Sequence, residues 1–134
     1  AGTFDLLHPG HVYYLQAAGR LGSHLTVVVA RDKTVQRMKK RRPVFNERHR
    51  LEVVAALRGV DKAVLGGTTG RMLDIVRKIN PHVIALGYDQ WPSEKRMRIQ
   101  LAEKGLFPRL VRVPSKNPRT WKSSLLRKKA LKRR

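Results

Sequence analysis

The sequence predicts an α/β fold: a Rossmann-like, doubly wound parallel sheet of about five strands with helices on both faces. Three observations lead there. Short strand-forming runs alternate with helical patterns along the whole chain. The clearest run, Leu25-Thr26-Val27-Val28-Val29, reads as a buried strand of the parallel type. The polar, unusual residues gather where strands give way to helices, and that edge is where such sheets bind ligands.

Each element has its own justification. From Gly10 to Leu21 the apolar residues Val12, Leu15, Ala18 and Leu21 recur at helical spacing, and Gly22 ends the run. Pro9 suits the first turn, where a missing N–H costs nothing. His24 to Ala30 is a strand with Arg31-Asp32 at its C-terminal end. A short helix is expected from Lys33 to Lys39, and the basic residues with Pro43 make a loop. Asn46 caps a helix through Leu57. Val60 to Leu65 is a strand. Gly66-Gly67-Thr68-Thr69-Gly70 is a loop in which Thr69 can cap a helix from Arg71 to Ile79, closed by Pro81. His82 to Leu86 is a strand ending in Gly87-Tyr88-Asp89-Gln90-Trp91-Pro92. Ser93 caps a helix to Lys104, and Gly105 ends it. Leu110 to Val113 is the last strand, and a basic helix follows from about Ser123.

At 134 residues the chain is expected to be one domain, residues 1–134, large enough to bury a core. A sheet whose first strand-to-helix turn is a ligand site needs a strand before Gly2, so upstream residues are expected to be missing. With no cysteine, this sequence has no disulfide, thiolate zinc site or cysteine nucleophile. No apolar run reaches membrane-spanning length and no signal peptide is visible, so the cytoplasm is the expected compartment.

The net charge is +21, from 30 Lys and Arg against 9 Asp and Glu. Such a field draws anions: nucleotides, phosphorylated substrates or nucleic acid. Glu103 is the last acidic residue, and Arg37 with Lys39-Lys40-Arg41-Arg42 makes a second basic cluster. Most of these charges read as solvated surface, the tail after Arg127 included.

Candidate chemistry centres on Gly2-Thr3-Phe4-Asp5-Leu6-Leu7-His8-Pro9-Gly10-His11. The two histidines are three apart, so on a first helical turn they project to one side. Gly10 lets a ligand approach the backbone. Free N–H groups and the helix dipole favour an anion between the rings. The reading is a phosphate site carrying two imidazoles. A metal pair would need a third ligand, and His24, His49 and His82 fall on separate elements, so no metal-ligating residue is assigned. Asp5 reads either as a turn residue or as part of the site. Arg50 sits where a helix dipole disfavours a cation, so either an ion partner or a phosphate is expected for it. Asp89 and Gln90 could hydrogen-bond a base or ribose, and Tyr88 or Trp91 could stack on a ring.

At these residues the chain resembles a known family. Gly2-Thr3-Phe4-Asp5 followed by His8-x-Gly10-His11 is similar to the signature of the nucleotidyltransferase superfamily of cytidylyl- and adenylyltransferases. From Ala1 to about Arg127 the chain resembles the archaeal-type FAD synthetases. Their Gly-x-Asp-Gln is similar to Gly87-Tyr88-Asp89-Gln90, where glycerol-phosphate cytidylyltransferases carry Gly-x-Asp-Trp. Arg119-Thr120-Trp121-Lys122-Ser123-Ser124 is similar to the superfamily's Arg-Thr-x-Gly-x-Ser-Ser/Thr, with Lys122 in place of smaller residues. The cysteines that often precede it in the FAD synthetases are absent.

The resemblance implies a nucleotidyltransferase, most closely an FMN adenylyltransferase. It would convert ATP and FMN to FAD and pyrophosphate, with Mg2+ or another divalent cation as cofactor. His8 and His11 would stabilise the transferring phosphate, with Lys39 as the functional lysine and Arg42 the next match. Thr3, Phe4, Gly10 and Arg50 would line the phosphates. Gly87, Asp89 and Gln90 would meet the adenosine, Ser123 and Ser124 the phosphates, and Asp5 the acceptor or the metal. A homodimer is usual among relatives. Two alternatives stand beside this reading. One is a CTP-dependent enzyme acting on glycerol 3-phosphate or a related alcohol. The other is a non-enzymatic RNA-binding protein, although nucleic acid is not the expected partner: no RNA motif is present and the aromatics are not interleaved with the basic runs.

Overall fold

The computed structural model describes residues 1–68, 72–90 and 93–133. Their order is α1 (Pro9–Gly19), β1 (Thr26–Val29), α2 (Asp32–Lys39), α3 (Glu47–Ala55), β2 (Lys62–Leu65), α4 (Met72–Ile79), β3 (Val83–Leu86), α5 (Glu94–Glu103), β4 (Arg109–Arg112) and α6 (Ser123–Lys132). Strands and helices alternate as the sequence predicts. Caps set several boundaries: Asn46 Oδ1 accepts from the N–H of His49 at the start of α3, and Ser93 Oγ from that of Arg96 in α5. Lys40 ends α2 in the left-handed conformation, with φ of 58°. The expected cap Thr69, with Gly70 and Arg71, and the expected stacking residue Trp91 lie outside the described residues.

The strand pairing departs from expectation. Instead of one sheet of about five strands, four described strands form two parallel pairs. β1 pairs with β2, Val27 opposite Ala63, and β3 pairs with β4, Ile84 opposite Leu110. Joining the pairs would take a strand hydrogen-bonded to both β1 and β3. In its place Gly2 alone makes a parallel bridge to Val29, donating to the Val28 carbonyl at 3.0 Å and accepting from the Ala30 N–H at 2.9 Å. A cleft of about 1080 Å³ separates the pairs, with Leu15, Val28, Val64, Ile75 and Ala85 on its walls. Tyr14 crosses it, its hydroxyl donating to the Ala85 carbonyl at 3.0 Å. Burial pushes that phenol up to about 12.

Each pair carries its own core. Phe4, Leu15, Val27, Val29 and Val54 fill the first, and Leu86, Met97, Leu101 and Leu110 the second. Each fully buried aliphatic side chain contributes about 1.5–3 kcal/mol, enough for these clusters to hold the loop ends that carry the polar residues.

Candidate active site

The first half of the site is the turn that leaves Gly2. Phe4 takes a left-handed backbone, φ of 53°, and turns its ring into the core at 3% exposure. Gly2 makes room for it, since a Cβ there would stand 2.8 Å from the Phe4 ring. That conformation is uncommon for a large side chain, so the surroundings must enforce it.

His8 is the N-cap of α1, and its Nδ1 accepts the Gly10 N–H at 3.1 Å. His11 follows one turn on. The two imidazoles stack with centroids 3.8 Å apart, and the Phe4 ring lies 5.4 Å from that of His11. Gly10 is required by this packing: a Cβ there would meet His8 Cε1 at 2.8 Å and Trp121 Cβ at 3.1 Å. Burial lowers the His8 pKa. Burial, then the charges of His8 and Lys39, lower that of His11 to about 4. Both rings are therefore neutral near pH 7. Because His8 Nδ1 is an acceptor, its proton sits on Nε2. His11 Nδ1 is the one buried side-chain N or O atom among the described residues without a hydrogen-bond partner.

The loop after α2 is fastened to this turn. Asp5 Oδ2 and Oδ1 accept the N–H groups of Val44 and Phe45, each at 2.9 Å. Arg50, 1% exposed, donates from Nη1 to the Thr3 carbonyl at 2.7 Å and from Nε to the Phe45 carbonyl at 2.9 Å. Its Nη2 pairs with Asp32 at 2.8 Å. All three guanidinium nitrogens are thus engaged within the protein, while both Asp5 oxygens hold backbone. Lys39, at the end of α2, stands close enough to feel this charge. Burial and the neighbouring Arg41 lower its pKa, and Asp5 and Asp89 oppose that shift.

The second half lies beyond β3. The N–H of Gly87 donates to Gln90 Oε1 at 3.1 Å, so the Gln90 amide is folded back on its own turn. Arg112 Nη1 donates to the carbonyls of Gly87 and Gln90 at 2.7 and 2.8 Å. Asp89 meets Lys122 Nζ at 3.7 Å, and the same ammonium sits 5.8 Å above the Tyr88 ring.

α6 joins the halves. Ser123, expected as its cap, is instead its first residue; Lys122 occupies the N-cap without a side-chain cap bond. The reason is tertiary: Ser123 Oγ donates to the Leu6 carbonyl at 3.2 Å, tying the helix to the histidine turn. Trp121 stacks near His8, ring centroids 6.3 Å apart. Ser124 is exposed beside it. The first N–H groups of a helix lack internal partners, so this end can face an anion.

The structure therefore gathers Thr3, Phe4, Asp5, His8, Gly10, His11 and Arg50 around one turn, with Lys39 at its edge. It sets Gly87, Asp89 and Gln90 on the other strand pair and links them through Lys122 and α6. Sequence reasoning did not single out Arg112, whose only signal is a cation inside the otherwise apolar Leu110-Val111-Arg112-Val113. Among the described residues, no group of three or more His, Cys, Asp or Glu side chains is placed to hold a metal ion. No described helix is long and apolar enough to cross a membrane.

Several known proteins are similar to this chain. The family model described as cytidylyltransferase-like matches residues 1–129. An FAD synthase of Methanothrix thermoacetophila is 47% identical over 117 residues, 87% of this chain and 80% of that protein. An FAD synthase of Methanosarcina mazei is 44% identical over 133 residues, covering 98% of this chain and 86% of the relative. The crystal structure of a lipopolysaccharide core biosynthesis protein from Thermoplasma volcanium superposes with a TM-score of 0.82 at 39% identity, covering 87% of this chain and 93% of that one. The chain belongs to the cytidylyltransferase-like family.

Proposed function

We propose that the chain is an FAD synthase, which joins the AMP moiety of ATP to FMN and releases pyrophosphate. The observation that carries the transfer chemistry is the stacked pair of neutral imidazoles at the start of α1. The choice of ATP and FMN is supported by the relatives named FAD synthase, similar over most of their own length.

In the proposed reaction a phosphate oxygen of FMN attacks the α-phosphorus of ATP. The bond from that phosphorus to its bridging oxygen breaks, and pyrophosphate leaves with the electron pair. Negative charge grows on the transferring oxygens and on the bridge. His8 donates from Nε2, and His11 does the same when its neutral ring carries its proton on that nitrogen. Neutral donors fixed beforehand need no reorganisation as charge develops. The Lys39 ammonium faces the departing phosphates, and the Asp89 turn holds the nucleoside. Ser123 and Ser124 offer the open end of α6 to phosphate oxygens.

A divalent cation finds no protein cage among the described residues, and both Asp5 oxygens already accept backbone N–H groups. Mg2+ would be held mainly by the substrate phosphates and would supply neutralisation of their charge.

The test is to incubate the protein and Mg2+ with ATP and FMN, beside CTP and glycerol 3-phosphate, and identify products by mass. FAD and pyrophosphate in the first mixture alone are expected. Product from CTP alone would overturn the assignment. His8→Ala and His11→Ala should each lower kcat about 10²–10³-fold, as for loss of one transition-state donor.

A further inference from the structure

Arg50 is a buried charge that its own helix disfavours, because it lies in the first turn of α3, at the positive end of the dipole. Its side chain is wholly buried. Replacing a buried ion pair as a whole by well-packed apolar residues is often neutral or stabilising, so stability alone does not call for a charge in this space. What the guanidinium does that no apolar group can is hold three separate segments in fixed geometry: the Thr3 carbonyl at 2.7 Å, the Phe45 carbonyl at 2.9 Å and Asp32 at 2.8 Å.

Each contact leads to a group placed at the site. Thr3 is followed by Phe4, whose left-handed turn sets the ring 5.4 Å from His11. Phe45 belongs to the loop that Asp5 pins from the other side. Asp32 opens α2, and Lys39 closes it. Two hydrogen bonds to Asp5 and three to Arg50 therefore close one frame, with the histidine turn on one side and the lysine helix on the other.

We propose that Arg50 is a positioning residue for nucleotidyl transfer, acting through the Thr3 carbonyl on the Phe4 turn that backs His11, and through Asp32 on the helix that carries Lys39. It orients the transfer groups and touches no substrate. The activity arm of the test rests on the FAD synthase reading; the spectroscopic arm does not.

The test is Arg50→Lys, which keeps the charge but cannot span both carbonyls and the carboxylate. The melting temperature identifies the folded variants. With ATP and FMN, kcat should fall at least tenfold while KM for each substrate stays within twofold, as expected when groups are displaced rather than lost. The His11 imidazole titration, followed by NMR without substrate, should move from its wild-type value. Should Arg50→Lys fail to fold, Asp32→Asn loosens the guanidinium without removing it and should shift both readouts in the same direction, two- to tenfold in kcat. An unchanged kcat with an unmoved His11 titration overturns the proposal. So does a rise in KM for ATP with kcat intact, which would make Arg50 a substrate ligand. If the wild type makes no FAD, the His11 titration decides alone, and a value shared by variant and wild type refutes it.

Discussion

Two arginines hold the two halves of the candidate site, and they work in opposite surroundings. Arg50 fastens the histidine turn with its side chain fully buried, whereas Arg112 fastens the Gly87–Gln90 turn with its side chain 29% exposed. Both donate to backbone carbonyls on two residues and both reach a carboxylate, Asp32 at 2.8 Å and Glu94 at 3.3 Å. The geometry is alike, but the energetics are not. A buried guanidinium has no water to fall back on, so every lost partner leaves an uncompensated group. A half-exposed one can exchange a protein partner for water, and its ion pair is weak for the same reason. The histidine turn is thus held rigidly, while the turn proposed for the nucleoside can adjust. That division suits a site where transfer needs fixed donors and the nucleotide must enter and leave.

The comparison can be broken most severely at Arg50. Arg50→Met should destabilise the fold by about 2–4 kcal/mol, because the Thr3 and Phe45 carbonyls lose their donor while Asp32, 36% exposed, can turn to water. Denaturant unfolding measures it; a loss below about 1 kcal/mol would mean that water already reaches the guanidinium.

Acid should act on the same half. His11 has a folded pKa of about 4 against an ordinary 6.5. Between those values the unfolded chain binds the extra proton, so stability should be full above pH 6.5 and fall as pH drops through the window toward 4. The loss is of order up to about 3 kcal/mol. His11→Gln should flatten that part of the pH profile, and a profile identical to wild type would show that the ring is not sheltered as described.

Arg112→Met should cost less, about 1–2 kcal/mol for hydrogen bonds lost at a partly wet site. In activity it should raise KM for ATP more than it lowers kcat, the reverse of the Arg50→Lys pattern. Equal effects of the two substitutions on kcat would erase the distinction between the halves. The smallest change is expected at Lys122. Its pairing with Asp89 joins side chains that are 46% and 57% exposed, so Lys122→Met should alter stability by less than about 1 kcal/mol.

Some features were legible without coordinates because their causes are local. Ser93 and Asn46 cap helices through neighbours three residues away, a spacing written in the sequence. His8 and His11 meet because three residues along the start of a helix bring side chains to one face. Other features depend on distant partners. Ser123 reads as a cap until Leu6, 117 residues away, takes its hydroxyl. Arg50 and Asp5 carry the residue types of ligand contacts, yet their nitrogens and oxygens are engaged with protein.

What the amino-acid sequence determined by itself was the alternation of strands and helices, the caps at Asn46 and Ser93, and the two histidines on one side of a first helical turn, because periodicity and capping act over a few residues. What only the tertiary structure decided was the internal employment of Arg50 and Asp5 and the hold of Arg112 on the second turn. Those outcomes come from contacts between segments 18 to 47 residues apart, where a charged side chain has many possible partners and folding selects those whose geometry compensates its removal from water.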